Sequence, residues 1–437
     1  MWTKELLGEV ATVEVGGTPS TDVSAYWGGQ VPWMVSGDVH RNRVAHVDGR
    51  ITELGLSASN AKIIDPPAVA VALAGQGKTR GTVALTLIPL CTNQSVALIR
   101  GKSNVLDTTY LFHDLKSRYE ELRARSSGGG RGGLTKAILE ALPLHLPPIE
   151  EQRRIANVLD TNDDLIAKSA SVVAKLRQLK TGLMNDLLMF GLADCGTAGN
   201  NELRFNDVND LSFDGVGASF NVPPLRAPRT HPEQFTNSHI GPLPKGWEIV
   251  RLLDHVDLPS GQVDPRQAPY RDWPLIGPDH IEGGTGRLLQ ISTAAEQGAI
   301  SGKYVFQSGD VLYSKIRPNL RKVTLATFDG LCSADMYPMR PRPTMDSYYL
   351  LISLLGERFS RFATAVSMRS GFPKINREEL AEFMIARPPI QEQQLIGQIA
   401  RVHDMRIRAE ETYRDKLILQ KEGLMADLLT GLVRVCK

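Results

Sequence analysis

LPPIEEQRRI, residues 146–155, returns 241 positions later as RPPIQEQQLI, residues 387–396, and the same offset carries GLMNDLL at 182–188 onto GLMADLL at 423–429. Without a gap, 17 of the 42 positions from Pro147 to Leu188 match their counterparts. A repeat of this length makes the chain an internal duplication, and any fold must hold two copies of one unit. The repeated segment predicts a helix. Pro147-Pro148 cannot continue a preceding helix but suits a first turn, and Glu150 and Glu151 suit the positive end of the helix dipole. Behind them Leu159, Ile166 and Val173 recur every seven residues, and Leu176, Leu183 and Leu187 extend an apolar seam to the breaker Gly191. The second copy offers Ile396, Ile399, Val402, Ile407, Leu417, Leu424 and Leu428, closed by Gly431. At ~1.5 Å per residue each copy would make a rod of about 60 Å, longer than a typical globular helix. Two rods with one-sided seams pack most simply on each other.

Working outward, the segments before the helices also correspond. WTKELLGEVATV from Trp2 parallels WEIVRLLDHVDL from Trp247, VPWMVSGDV parallels WPLIGPDHI, and TNQSVALI after Cys91 parallels SADMYPM after Cys332. Their β-rich alternation, broken by Gly and Pro, predicts two homologous mixed α/β domains of about 145 residues. Stretches 110–124 and 347–365 each read as one helix ending near a Gly-containing loop. The expected organisation is α+β, with a first domain at 1–146, a long helix at 147–190 and a connector at 191–246. A second domain at 247–387 and a second long helix at 388–437 complete it. Between 191 and 240 the connector carries three Arg against six acidic residues. Its Phe205, Phe213 and Phe220 suggest that part of it docks on a folded surface.

Composition bounds the rest. The 437 residues favour two or three domains, and 50 Lys+Arg against 48 Asp+Glu give a net charge of +2, so any basic site must be local. Cys91, Cys195, Cys332 and Cys436 show no CxxC spacing, which disfavours structural zinc or a disulfide framework and predicts free thiols in a reducing compartment. No apolar run approaches the ~20 residues of a membrane span, so a cytoplasmic location is expected. No HExxH-type metal motif occurs, and no Asn/Asp-Pro-Pro-aromatic motif of an adenine methyltransferase; Asp65-Pro66-Pro67-Ala68 ends in Ala.

AVAVALAGQGKTRG, residues 68–81, satisfies a relaxed phosphate-loop pattern at Gly77-Lys78-Thr79. A phosphate loop needs a helix directly afterwards to supply amides and dipole. Here Gly81, Thr82, Val83, Thr86 and Pro89 favour a second strand, so the segment predicts a hairpin. Gln76, Lys78 and Arg80 then project from a Gly-permitted tip. Gln can pair with adenine, and Arg or Lys with guanine or phosphate. KIRPNLRK is the densest basic cluster, with Lys315, Arg317, Arg321 and Lys322 around Pro318-Asn319. A charge run is more often a solvated face; the sharper expectation is phosphate contact by Lys315 and Arg317. Arg131 in GGGRGG and Arg369 occupy matched loops. Ser36-Gly37-Asp38 and Asp279-His280 form a matched polar turn that reads as capping.

Taken together, the duplicated PPI-x-EQ-x-x-I helix starts and GLM-x-DLL helix ends, with GGTPS, YWGGQVPW, SGD, GQGKTRG and GDVLYSKIRPNLRK, make the chain resemble the DNA-specificity subunit of type I restriction-modification systems. The likeness covers nearly the whole chain, least so the 191–246 connector. It implies two target-recognition domains, each reading one half of a gapped DNA site, and two long helices acting as an antiparallel coiled-coil spacer that docks methyltransferases. It implies double-stranded DNA and two methyltransferase (M) subunits as partners, and two restriction/motor (R) subunits where the complex also cuts. No catalytic residue or cofactor is expected on this chain; S-adenosylmethionine, ATP and magnesium would sit on the partners. Two other readings stay open on the residues alone: a phosphate-loop nucleotide-binding enzyme using Lys78, and a coiled-coil scaffold without DNA specificity.

Overall fold

The computed structural model describes residues 2–75, 77–126, 133–193, 224–367 and 373–435. Phe205, Phe213 and Phe220 lie outside them, as do Gln76, Arg131, Arg369, Cys195 and Cys436. Among the described residues no helix is long and apolar enough to cross a membrane. The chain forms two compact units, one of residues 1–171 with 411–437 and one of 172–410. The two long helices run over Ile149–Phe190 and Ile390–Thr430. Each unit therefore holds one α/β domain, the first half of the helix that follows it and the second half of the other long helix.

In the first unit a five-stranded sheet has the order Ala11–Val15, Val96–Gly101, Ala68–Ala72, Val83–Thr86 and Arg43–Val44. The central AVAVA strand is buried at all five positions. Val69 and Val71 face one core with Leu85, Ile99, Tyr110 and Leu111, while Ala70 and Ala72 face a second with Met34, Val39 and Leu98. Alternation thus becomes a continuous apolar run because the sheet is covered on both faces. The second unit repeats this plan in the order Val256–Asp257, Met336–Pro341, Val311–Ser314 and Val323–Leu325. Val311 and Tyr313 again enter one core and Leu312 another. In each domain an outer antiparallel pair, Thr3–Leu6 with Pro143–Leu146 and Glu248–Arg251 with Met384–Arg387, leads into a long helix.

The expected single helices at 110–124 and 347–365 are each two. The first breaks at Arg118, between Thr108–Ser117 and Tyr119–Arg125, and the second at Gly356, between Ser347–Leu355 and Glu357–Ser367. Gly356 takes extended backbone (ψ 156°), which ends the helical hydrogen-bond ladder, and Arg118 leaves helical geometry at ψ 23°.

The repeated glutamine anchors each long helix to its own domain. Gln152 accepts the Asp107 amide at 2.9 Å and donates to the Val105 and Pro147 carbonyls at 3.0 and 2.9 Å. Gln393 accepts the Asp346 amide at 2.9 Å and donates to Thr344 and Pro388 at 3.1 and 2.8 Å. Asp107 and Asp346 in turn cap the helices that cover the sheets. Every polar atom of a buried carboxamide is thereby used, which holds the helix at one position against the domain.

Within each unit the helix halves pack antiparallel. In the first, Asp163 meets Lys421 at 2.5 Å and Glu151 meets Arg434 at 2.6 Å. In the second, Lys180 meets Asp404 at 2.5 Å. Asp163 and Lys180 are the 241-residue counterparts of Asp404 and Lys421, so one ion pair is made twice with the roles exchanged. Leu159, Val173, Leu176, Ile396 and Leu417 are buried, whereas Ile166, Leu183 and Leu424 are half-buried. Asn162, Ser169, Met184 and Lys421 occupy buried positions the apolar heptad count passes over; Lys421 is buried through its pair with Asp163 and Asn162 through a bond to Val158 O. Gly191 and Gly431, at φ +63° and +77°, end the two helices in left-handed backbone that a side chain would strain.

Candidate nucleic-acid interface

The Gly-rich stretch of the first domain is a hairpin. Ala68–Ala72 pairs antiparallel with Val83–Thr86, Val71 opposite Val83, so the residues after Lys78-Thr79 enter a strand. That removes the phosphate-loop reading, since a strand and not a helix follows the Gly-rich turn. KIRPNLRK occupies the same place in the second domain, between Val311–Ser314 and Val323–Leu325. The sequences of the two tips do not align; their backbones do. Leu73 donates its amide to Ser95 O at 2.8 Å and accepts from Leu134 N at 2.9 Å, and Lys315 does the same with Asp335 O at 3.0 Å and Ile375 N at 2.9 Å.

At this end of the first sheet several loops are joined. Gly16 N donates to Val96 O at 3.3 Å and Gly17 N to Thr92 O at 2.9 Å, tying the 16–18 turn to the 92–95 turn that also receives Leu73. Leu134 follows Arg131 by three residues in the sequence, and in the second domain Arg317 N donates to Pro373 O at 2.9 Å, four residues after Arg369 in the sequence. The described candidates, Lys78 and Arg80 in one domain and Lys315, Arg317 and Asn319 in the other, thus belong to loops that leave one end of each sheet.

Lys78 is exposed at its tip and Arg80 is half-buried. The tip is braced from below: Arg123 donates to Gly77 O at 2.6 Å, Tyr119 hydroxyl to Lys78 O at 3.0 Å, and the Arg123 guanidinium lies over the Tyr119 ring at 5.4 Å. His40 and Thr79 share a hydrogen bond of 3.1 Å. Neither brace was legible in the sequence, because Tyr119 and Arg123 sit on a separate helix some forty residues away.

The second basic cluster divides. Arg317 and Asn319 are exposed, and Lys315 is half-buried with its ammonium 5.3 Å over the Tyr337 ring. Arg321 and Lys322, expected to face a ligand, are turned inward: Arg321 donates to Leu355 O, and Lys322 Nζ to Pro278 O at 2.7 Å. Both fasten the hairpin to its domain, since a carbonyl at a helix end offers a partner that solvent-facing geometry would forgo. Arg317 and Arg321 both take left-handed backbone, φ 46° and 49°, around the 3₁₀ turn Pro318–Leu320, at a cost of about 1–2 kcal/mol each for non-glycine residues.

The polar turns at Ser36 and Asp279 are caps. Asp38 accepts Val35 N at 3.0 Å, and His280 Nδ1 accepts Gly277 N at 2.9 Å.

One cluster elsewhere offers metal-type ligands: His113, Asp160 and Asp163 converge. Arg43 already lies 2.5 Å from Asp160 and Lys421 2.5 Å from Asp163, so the carboxylates are neutralised by side chains and the group is an ion-pair network. His113 is fully buried and its Nε2–H donates to the Asp160 carboxylate at 2.7 Å. Burial pushes its pKa down, against the opposing pull of Asp160. Burial would raise that of Asp160, but hydrogen bonds from His113 and Arg43 outweigh it and hold the carboxyl low.

With this geometry established, comparison with known proteins is direct. A family model described as the type I restriction modification DNA specificity domain matches residues 1–176 and again 244–418. A type I restriction enzyme EcoDI specificity subunit from Escherichia coli is 31% identical over 293 residues, covering 66% of this chain and 61% of the relative, so the match spans less than two thirds of that relative's length. The MjaVIII specificity subunit from Methanocaldococcus jannaschii is 23% identical over 449 residues, 99% of this chain and 93% of that one. A crystal structure of a type I restriction-modification S subunit from M. genitalium shares the fold at TM-score 0.58 and 14% identity, over 98% of this chain and 96% of that chain.

Proposed function

The chain belongs to the type I restriction-modification DNA specificity family, and from that premise we propose that it is the DNA-recognition subunit of a type I restriction-modification complex. Each domain reads one half of a two-part site, and the paired helices carry methyltransferase subunits, with restriction/motor subunits joining through them. S-adenosylmethionine, ATP and magnesium belong to those partners, and this chain supplies the address. The observation that carries the reading is the repetition of one construction: two sheets on the same plan, each ending in a braced hairpin whose exposed cations, Lys78 in one and Arg317 in the other, stand beside polar loops. Cations at a hairpin tip fix the register of a protein on a phosphate backbone, while neighbouring polar side chains discriminate bases. Lys315, held over Tyr337, adds a second positive group beside Arg317.

The test is single-molecule methylation sequencing of cells with and without this chain, and with residues 1–145 exchanged for those of a relative. A two-part adenine-methylated motif should vanish on deletion, and the exchange should alter one half-site while leaving the other intact. A methylome unchanged by deletion would overturn the proposal. Simultaneous change in both halves would overturn the assignment of one domain to one half-site.

A further inference from the structure

Beside the Lys78 hairpin, the first domain carries an open concavity of about 600 Å³ lined by Gly16, Gly17, Thr18, Ser57, Ser59, Asn60 and Gln94 among others. Three segments distant in sequence make it, and they come together because two glycines allow contact no side chain could. A Cβ on Gly16 would lie 2.0 Å from Thr92 O, and one on Gly17 would lie 2.8 Å from Ala61 N. The floor is therefore built of backbone, and the rim is built of hydroxyls and carboxamides. Thr18 and Gln94 are linked by a hydrogen bond from the hydroxyl to Oε1. Among the described residues this is the only hydrogen bond of the Gln94 side chain. Asn60, Gln94 and Thr18 are all exposed.

The concavity shares its 92–95 turn with the base of the hairpin, through Leu73 N and Ser95 O at 2.8 Å. A cation that takes phosphate and a polar hollow that takes something else thus stand on neighbouring loops of one rigid sheet end. An open hollow with a polar rim is unsuited to an enclosed apolar ligand. Carboxamides presenting a donor and an acceptor together match the edge of adenine, whose N6 and N7 offer the complementary pair in the major groove.

Resting on the DNA-recognition reading above, we infer that this concavity is the base-reading site of the first domain, with Gln94 the specificity-determining side chain, Thr18 its positioning partner and Asn60 a second reader. In the second domain the same turn is Cys332-Ser333-Ala334-Asp335. Ser333 N bonds to Ile276 O as Asn93 N bonds to Met34 O, which places Ala334 where the first domain has Gln94. An alanine cannot make that contact, so the two half-sites differ at the corresponding base pair.

The experiment uses the full chain in its purified native complex against a panel of duplexes in which each base pair of the methylated motif is varied in turn. Gln94→Ala should reduce discrimination at one position of one half-site by about 10- to 100-fold, leaving the other positions within about twofold. Gln94→Glu, which offers acceptors only, should move the preference at that position towards cytosine. Both substitutions are at an exposed side chain, so assembly should be retained. Discrimination unchanged at every position would overturn the inference, as would an even loss across the panel, which is the signature of a backbone contact. A wild-type complex with no preference at any position would instead overturn the specificity reading itself.

Discussion

Glu151 and Glu392 stand at the same place in the two long helices, yet they are held differently. Glu392 is 1% exposed and accepts from Leu192 N at 2.9 Å, Arg226 Nη1 at 2.9 Å and Trp247 Nε1 at 3.0 Å. Glu151 takes a bidentate pair of 2.6 Å bonds from Arg434, whose side chain is 43% exposed. In the second unit the indole of Trp247 and the turn at Gly191 close over the carboxylate. In the first, the arginine arrives from the end of the chain and its guanidinium lies 5.9 Å from the Trp2 ring. The start of the duplicated helix is the same, and what has drifted is how each copy satisfies its buried charge. The same contrast holds at the sheet ends, where Gln94 of the first domain has Ala334 as its counterpart in the second.

The largest effect should separate the two glutamates. Glu392→Gln removes a buried charge that three donors require and should cost about 3 kcal/mol, whereas Glu151→Gln leaves a buried carboxamide beside a partly exposed, solvent-screened arginine and should cost about 1 kcal/mol. Urea unfolding of both variants measures this, and equal losses would break the contrast. The two glutamines should instead behave alike. Gln152→Ala and Gln393→Ala each strand one amide and two carbonyls and should each cost about 2–3 kcal/mol; a difference above ~1 kcal/mol would mean the anchors are not equivalent.

The smallest effect concerns pH. His113 is buried neutral with its pKa lowered by desolvation, and Ile352 holds its place in the second domain. Because the folded pKa lies below the unfolded value of about 6.5, the unfolded chain binds the proton more readily. Stability is complete above that value and declines as pH falls from it towards the folded pKa. His113→Ile should flatten the acid side of the melting curve below about pH 6.5; an unaltered slope would show that His113 does not govern it.

Several of these features were legible from residue order. The PPI signals and the breakers Gly191 and Gly431 stand within two residues of the helix ends observed at Ile149–Phe190 and Ile390–Thr430, whereas the expected second bound of 437 overshoots Thr430. The β-branched run after Lys78 favoured a strand over the helix of a phosphate loop, because strand propensity and Pro89 act locally, and the hairpin bears this out. The break at Arg118 was not legible, since nothing in YEELRAR disfavours a helix and the turn is imposed by packing. Of the basic clusters, KIRPNLRK was visible as charge, but the inward turn of Arg321 and Lys322 was not, because the Leu355 and Pro278 carbonyls that receive them come from distant segments.

Duplication, two α/β domains and two long helices follow from the sequence alone, since repeats and periodicity are properties of neighbouring residues. The tertiary structure alone decided that GQGKTRG and KIRPNLRK are the same loop, that Asp163 meets Lys421 as Lys180 meets Asp404, and that Thr18, Asn60 and Gln94 rim one hollow. Those facts depend on strand register and on contacts between residues up to 258 positions apart, and no local pattern encodes which distant backbone a side chain will find.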